Sequence, residues 1–395
     1  MTQPLNLKKV AATLMTTAVA WSLSLPVGAA ESLKIGMVLP MSGPYAFYGK
    51  QIEHGARLYL QQHDGMVAGR KVDLVIKDDS GVTPETSKRA AQELVSKDRV
   101  DLLAGFALTP AALGAASVSA ETHKAMVVMN AAASDVTTKS PYIVRVSRTL
   151  SQVTAPMAIW AARNKIQRVF ILVADYTPGH DAATEFRKTF SMLGGEIVGE
   201  VRTPLTTRDF TNTLQRIQDA KPQAIFLFMP PGEQTTAFAK GFDDKGLRKA
   251  GVRIVATGDL TDEEQLDSMG EHALGITTSL HYSEAHDSPE NKAFVQAYAK
   301  AYPKDRPNNM AVGGYDGMQL IARALAKTGG DTSGERFIAA VKGLSWTSPR
   351  GVVSIDPATR DIVQTVYIRR VESVNGRLQN VEFDKVTNVK DPGKR

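Results

Sequence analysis

From residue 32 onward, short apolar runs alternate with longer stretches in which apolar residues recur at helical spacing. Runs at 33–39, 72–77, 102–104 and 125–129, rich in Val, Ile, Leu and Met, predict strands. The stretches near 50–63, 84–97 and 110–122 predict helices between them. Thr83-Pro84 and Thr109-Pro110 each offer an N-cap followed by proline at the first helical position. Strands and helices in strict alternation imply βαβ units and a parallel sheet covered on both faces.

The rhythm restarts after Ser151. Strands are expected at 169–173, 197–201, 224–228, 253–256 and 276–279, with helices at 182–193, 210–219, 234–245 and 262–269. Two longer helices, 291–302 and 311–327, follow. The carboxyl end then becomes extended at 352–355, 365–374 and 378–383, with Asn375-Gly376 as a hairpin turn, and residues 390–395 are expected to be loose. Two successive α/β units suggest two lobes. In open parallel sheets the binding crevice lies beyond the carboxyl ends of the strands, so two facing sheets would enclose one cleft.

The amino terminus has a different pattern. Lys8 and Lys9 precede an uncharged run from 10 to 25, then Pro26 and the small residues Val27, Gly28, Ala29 and Ala30 before Glu31. That order predicts a signal peptide over residues 1–30, cleaved after Ala30 or Ala29. The run is too short and too rich in Ser and Thr for a membrane span. There is no cysteine, which excludes a thiol nucleophile, a zinc–thiolate site and a lipid-bearing cysteine. The formal charge of +6 includes Lys8 and Lys9, and no long basic run exists, so nucleic acid is not an expected partner. About 365 mature residues exceed one ordinary core, in keeping with two domains.

The chain resembles the leucine/isoleucine/valine-binding type of periplasmic solute-binding protein. The likeness rests on Leu33-Lys34-Ile35-Gly36, Met41-Ser42-Gly43-Pro44, Tyr48-Gly49, Gly55-Ala56-Arg57 and Asp78-Asp79-Ser80. It continues at Thr207-Arg208-Asp209-Phe210-Thr211 and Lys221-Pro222-Gln223-Ala224-Ile225. His281-Tyr282-Ser283 and Asp287-Ser288-Pro289-Glu290-Asn291 look closer to relatives assigned aromatic carboxylates. The resemblance implies a type I, two-lobed α/β fold with three hinge crossings, near 147–151, 279–284 and 345–350. Lobe one would hold 31–148 and 283–346, and lobe two 149–282 and 347–395. It further implies a monomeric periplasmic capture protein for an inner-membrane ABC permease, with a small carboxylate as ligand and no cofactor. Aromatic acids come first and hydrophobic amino acids next. An exported ligand sensor of the same fold, signalling to a receptor, is the alternative.

Ligand-binding candidates follow from the motif positions. Tyr48 would place a ring against the ligand, whereas Tyr45 packs under its loop. The segment Phe106, Ala107, Leu108 and Thr109 ends a strand and opens a helix, whose free N–H groups suit a carboxylate. Ala131, Ala132, Ala133 and Ser134 occupy the matching place after the next strand, with Ser134 replacing a hydroxyl that Ala133 lacks. From the second lobe come Tyr176 and Met229, the latter shaping the pocket or capping the core. Tyr282 comes from the aromatic-acid tract. Asp259 either meets a ligand ammonium or caps a helix. No enzyme is expected: nucleophile-elbow, phosphate-loop and well-placed dinucleotide motifs are missing, and His281 and His286 are wrongly spaced for a metal. Gly313-Gly314 reads as close helix packing.

Overall fold

The computed structural model describes residues 1–2, 31–81 and 83–394. The segment assigned to export lies outside the described residues. The first sheet contains β1 (Leu33–Leu39), β2 (Met66–Val67), β3 (Arg70–Asp78), β4 (Leu102–Gly105), β5 (Met126–Val128) and β6 (Ile143–Arg145), in the order β2-β3-β1-β4-β5-β6. All neighbours pair parallel except β2 with β3. Parallel pairing needs a return crossover, which helices Ala46–Gln62, Pro84–Ser96 and Thr109–Thr122 supply. Every residue of β4 and β5 is buried, which explains their unbroken apolar pattern.

In the second sheet β7 (Arg168–Ala174), β8 (Glu196–Thr203), β9 (Ala224–Phe228), β10 (Arg253–Thr257) and β11 (Thr277–Leu280) run parallel, with β7 between β8 and β9. They are joined by β12 (Ser345–Ser348), β13 (Gly351–Ile355), β14 (Ile362–Val374) and β15 (Arg377–Val389), all paired antiparallel. Asn375 and Gly376 take φ values of 52° and 79°, which suit the tight turn between β14 and β15. Two helices, Leu150–Arg163 and Gly334–Val341, form where the pattern suggested none. Among the described residues no helix is long and apolar enough to cross a membrane.

Each sheet has its own core, but neither core is continuous in sequence. Leu33, Ile35 and Met37 of β1 pack with Met310, Ile321, Phe337, Trp346, Val353, Ile355 and Ile362. Val153, Ile171 and Phe226 pack with Val366 and Ile368. Residues 353–362 thus fill the first core, although β13 is bonded to β14 of the second sheet. Helices Ala46–Gln62 and Asn309–Thr328 touch closely. A Cβ on Gly314 would sit 2.0 Å from the Ile52 carbonyl, and one on Gly55 1.8 Å from that of Ala311.

Buried ion pairs tie segments distant in sequence together. Arg145 meets Asp361 at 2.7 Å, Arg350 meets Asp316 at 2.8 Å and Arg369 meets Glu263 at 3.4 Å. The last residues are not loose. Asp391 accepts from Ser134 Oγ at 3.0 Å and Thr149 Oγ1 at 2.9 Å, and Lys394 pairs with Asp361. The tail therefore joins a loop of the first domain to the cap of helix Leu150–Arg163, which packs in the second.

Candidate functional site

The carboxyl ends of β4 and β5 face those of β7, β9 and β10 across a narrow cavity of about 20 Å³. Its walls are Tyr48, Ala107, Leu108, Thr109, Asn130, Ala132, Arg148, Leu150, Tyr176, Pro178, Phe228, Pro230 and Asp259.

A turn after β4 aims the first wall. Gly105 has φ 99°, and a Cβ there would lie 2.7 Å from the Val38 carbonyl. Phe106 follows at φ 63°, donates its N–H to that carbonyl at 2.9 Å and drives its ring into the core with Leu103 and Val128. Ala107, Leu108 and Thr109 are thereby left on the cavity. Thr109 is the first helical residue rather than the cap; the cap position belongs to Leu108, without a side-chain bond. Its Oγ1 instead accepts the N–H groups of Ala132 (3.3 Å) and Ala133 (3.2 Å), which ties the two strand-end loops together. Its hydroxyl proton remains free to donate.

Arg148, 2% exposed, lies on the first crossing between the domains. Its Nη1 donates to Asn130 Oδ1 at 2.8 Å in the first domain, and its Nη2 to Asp259 in the second. Asp259 also accepts from Thr257 Oγ1 at 3.0 Å. The Nε–H of Arg148 is buried with no partner among the described residues. Asn130 donates its amide N–H to the Ala107 carbonyl at 2.7 Å and accepts from Asn309 at 3.3 Å. A chain of bonds thus runs from the β4 loop through Asn130 and Arg148 to the end of β10.

Aromatic rings close the other sides. Tyr176 stacks on Phe228 with centroids 6.0 Å apart, and Tyr48 stands edge-on to Tyr45 and Phe47. The Tyr48 hydroxyl donates to the Pro231 carbonyl at 3.3 Å, a bond between domains. Burial, then the nearby Tyr176 and Asp259, pushes the Tyr48 phenol well above its ordinary value; burial and Asp259 do the same to Tyr176. Both stay protonated and present apolar faces with O–H donors.

Among the expected positions, Tyr48, Ala107, Leu108, Thr109, Ala132, Tyr176 and Asp259 come together on this cavity. The others lie elsewhere. Phe106, Ala131 and Ala133 belong to a core cluster, and the carbonyls of Ala131 and Ala133 accept from Arg145. Met229 packs in the second domain with Phe238 and Leu260, since the adjacent Phe228 takes the cavity face. Ser134 bonds to the tail and to Asp181. Tyr282 is buried edge-on to Phe294. Asp259 caps no helix: it lies inside the short turn Gly258–Thr261, whose cap is Thr257, and its carboxylate holds Arg148. Arg148, Asn130, Leu150, Pro178, Phe228 and Pro230 complete the walls without having been singled out, although Arg148 falls in the expected crossing at 147–151. Among the described residues no cluster of three or more metal-ligating side chains occurs.

The described geometry agrees with comparisons to known proteins. The Leu/Ile/Val-binding protein homolog 6 of Brucella melitensis is 41% identical over 389 residues, covering 98% of this chain and 99% of the relative. A solute binding protein of an ABC transporter from Rhodopseudomonas palustris BisB5, solved in complex with 3,4-dihydroxy benzoic acid, is 49% identical. It matches 92% of this chain and 99% of its own with a TM-score of 0.88. A second, from Rhodopseudomonas palustris HaA2 in complex with p-hydroxybenzoic acid, is 45% identical with a TM-score of 0.89 over the same shares. The family model for periplasmic binding proteins matches residues 32–377. With two α/β domains meeting at a cavity between strand ends, the chain belongs to the periplasmic binding protein family.

Proposed function

We propose that this chain is the periplasmic capture component of an ABC importer, and that its ligand is an aromatic carboxylate bound between the domains. The carrying observation is the composition of the cavity, in which Tyr48, Tyr176 and Phe228 surround one buried arginine. The rings offer flat apolar faces to a ligand ring. Arg148 Nε, the Thr109 hydroxyl and the start of helix Thr109–Thr122 offer donors to its carboxylate. The ligands named for the two Rhodopseudomonas relatives support the same class. Binding would draw the lobes (31–148 with 283–346, and 149–282 with most of 347–395, apart from Val353, Ile355 and Ile362, which pack in the first core) together about the crossings, with no bond made or broken. Export would follow from cleavage after Ala30 or Ala29.

Calorimetry with benzoate, 4-hydroxybenzoate and leucine tests this reading. A benzoate should bind and be recovered unaltered, and Tyr48→Ala should weaken it about tenfold or more through lost ring contact. Tight leucine binding with no response to aromatic acids would reverse the ligand assignment.

A further inference from the structure

The cavity wall is rich in donors and poor in free acceptors. Its one carboxylate, Asp259, is engaged by Arg148 and Thr257. The Ala107 carbonyl is engaged by Asn130, and Asn130 Oδ1 by Arg148 and Asn309. The Pro230 carbonyl accepts from Gln234 at 2.6 Å. Against these stand the unpartnered Nε–H of Arg148 and the free proton of Thr109. A carboxylate is matched by these donors. An ammonium brings three N–H donors and loses its water on entry, so it must find acceptors or be excluded. Asp259, with its charge already countered by Arg148, offers it little, and displacing Arg148 would leave a buried guanidinium unpaired.

We infer that the Asn130–Arg148–Asp259 chain is the specificity filter of this cavity: it admits simple carboxylates and rejects ligands that also carry an ammonium. Arg148 is the determining residue, because it both supplies the donor for the carboxylate and cancels the acid that an ammonium would need. Asn130 is a positioning residue that fixes the guanidinium and occupies the Ala107 carbonyl. The inference rests on the reading of this cavity as the ligand site. It adds that α-amino acids are refused for their charge and not for their size.

Pairs of ligands that differ only by the ammonium separate charge from size: phenylacetate against phenylglycine, and 4-methylpentanoate against leucine. In calorimetry the intact mature protein should bind at least one ammonium-free member ten or more times tighter than its partner. Arg148→Lys, which keeps a cation beside Asp259, should retain the preference. Arg148→Met, which frees Asp259, should narrow the ratio tenfold or invert it, and adding Asp259→Asn should abolish that gain. If Arg148→Met does not fold, Asp259→Asn alone serves, because it releases the guanidinium and should widen the preference at least threefold. A wild-type ratio near one, a preference for the amino acid, or an unchanged ratio in folded Arg148→Met or Asp259→Asn would overturn the filter. Benzoate binding in those cases would leave carboxylate capture standing. Wild-type protein that binds no carboxylate at all would instead remove the reading on which the filter rests.

Discussion

Taking a guanidinium and a carboxylate out of water costs several kcal/mol for each ion unless the two find one another and their remaining hydrogen bonds are met. Arg148 and Asp259 meet these terms through Asn130 and Thr257, except at the arginine Nε–H, which has no partner among the described residues. Asp259→Ala would strand the arginine, so a loss of roughly 3–5 kcal/mol in urea unfolding is expected. A loss under about 1 kcal/mol would show that water reaches the cation. His281 presents the opposite case, fully buried with both ring nitrogens unpartnered among the described residues. Burial, reinforced by Arg350, Arg148 and Arg369, holds its pKa well below the ordinary value. The folded form keeps it neutral, while the unfolded chain takes up a proton below about pH 6.5. Its contribution is intact above that pH and falls away below it, by up to about 1.4 kcal/mol per pH unit. Relative to wild type, His281→Gln should gain stability as pH drops from 7 to 5; parallel stability curves would refute this. Thr109 and Asp259 were legible in the sequence because they follow strand ends, and Tyr48 through the family motif, although it lies in helix Ala46–Gln62 and not in a loop. Arg148 was not, because its role depends on Asn130 and Asp259, 18 and 111 residues away.

At the scale of elements, a strand-to-helix connection earns its function through two adjacent residues of positive φ. Gly105→Ala would place a methyl group against the Val38 carbonyl in a conformation that L residues avoid. A cost of about 1–3 kcal/mol is expected, with weaker binding, because the loop 106–109 must shift. Unchanged affinity in calorimetry would mean that the loop is not a ligand contact. Strand and helix alternation was readable from period alone, yet helix Leu150–Arg163 escaped. Ten of its residues are buried, including Gln152, Thr154 and Pro156, so it shows no polar face to set a helical stripe. Its internal proline also reads as a break. β6, three residues long, is too short for any periodic signal. Phe106 and Met229 were placed on the cavity because neighbours in sequence were treated as neighbours in space. A one-residue change of side is enough to send Phe106 inward and to put Phe228 in place of Met229.

For the whole molecule, the carboxyl-terminal tail is a brace between domains. Removing residues 391–395 takes away the bonds of Asp391 to Ser134 and Thr149 and that of Lys394 to Asp361. A stability loss of about 1–3 kcal/mol is expected in urea titration, since these bonds involve charged groups. No loss would show that the tail only rests on the surface. The discontinuous cores have a further consequence, for the order of assembly. Released amino end first, the chain can pair β7 to β11 as soon as residue 280 is available. β1, the first strand to emerge, must wait for Phe337, Ile355 and Ile362 before its core is complete. The second core likewise waits for Val366 and Ile368; such distant closure is slow, so neither half completes its core until almost the whole chain has emerged.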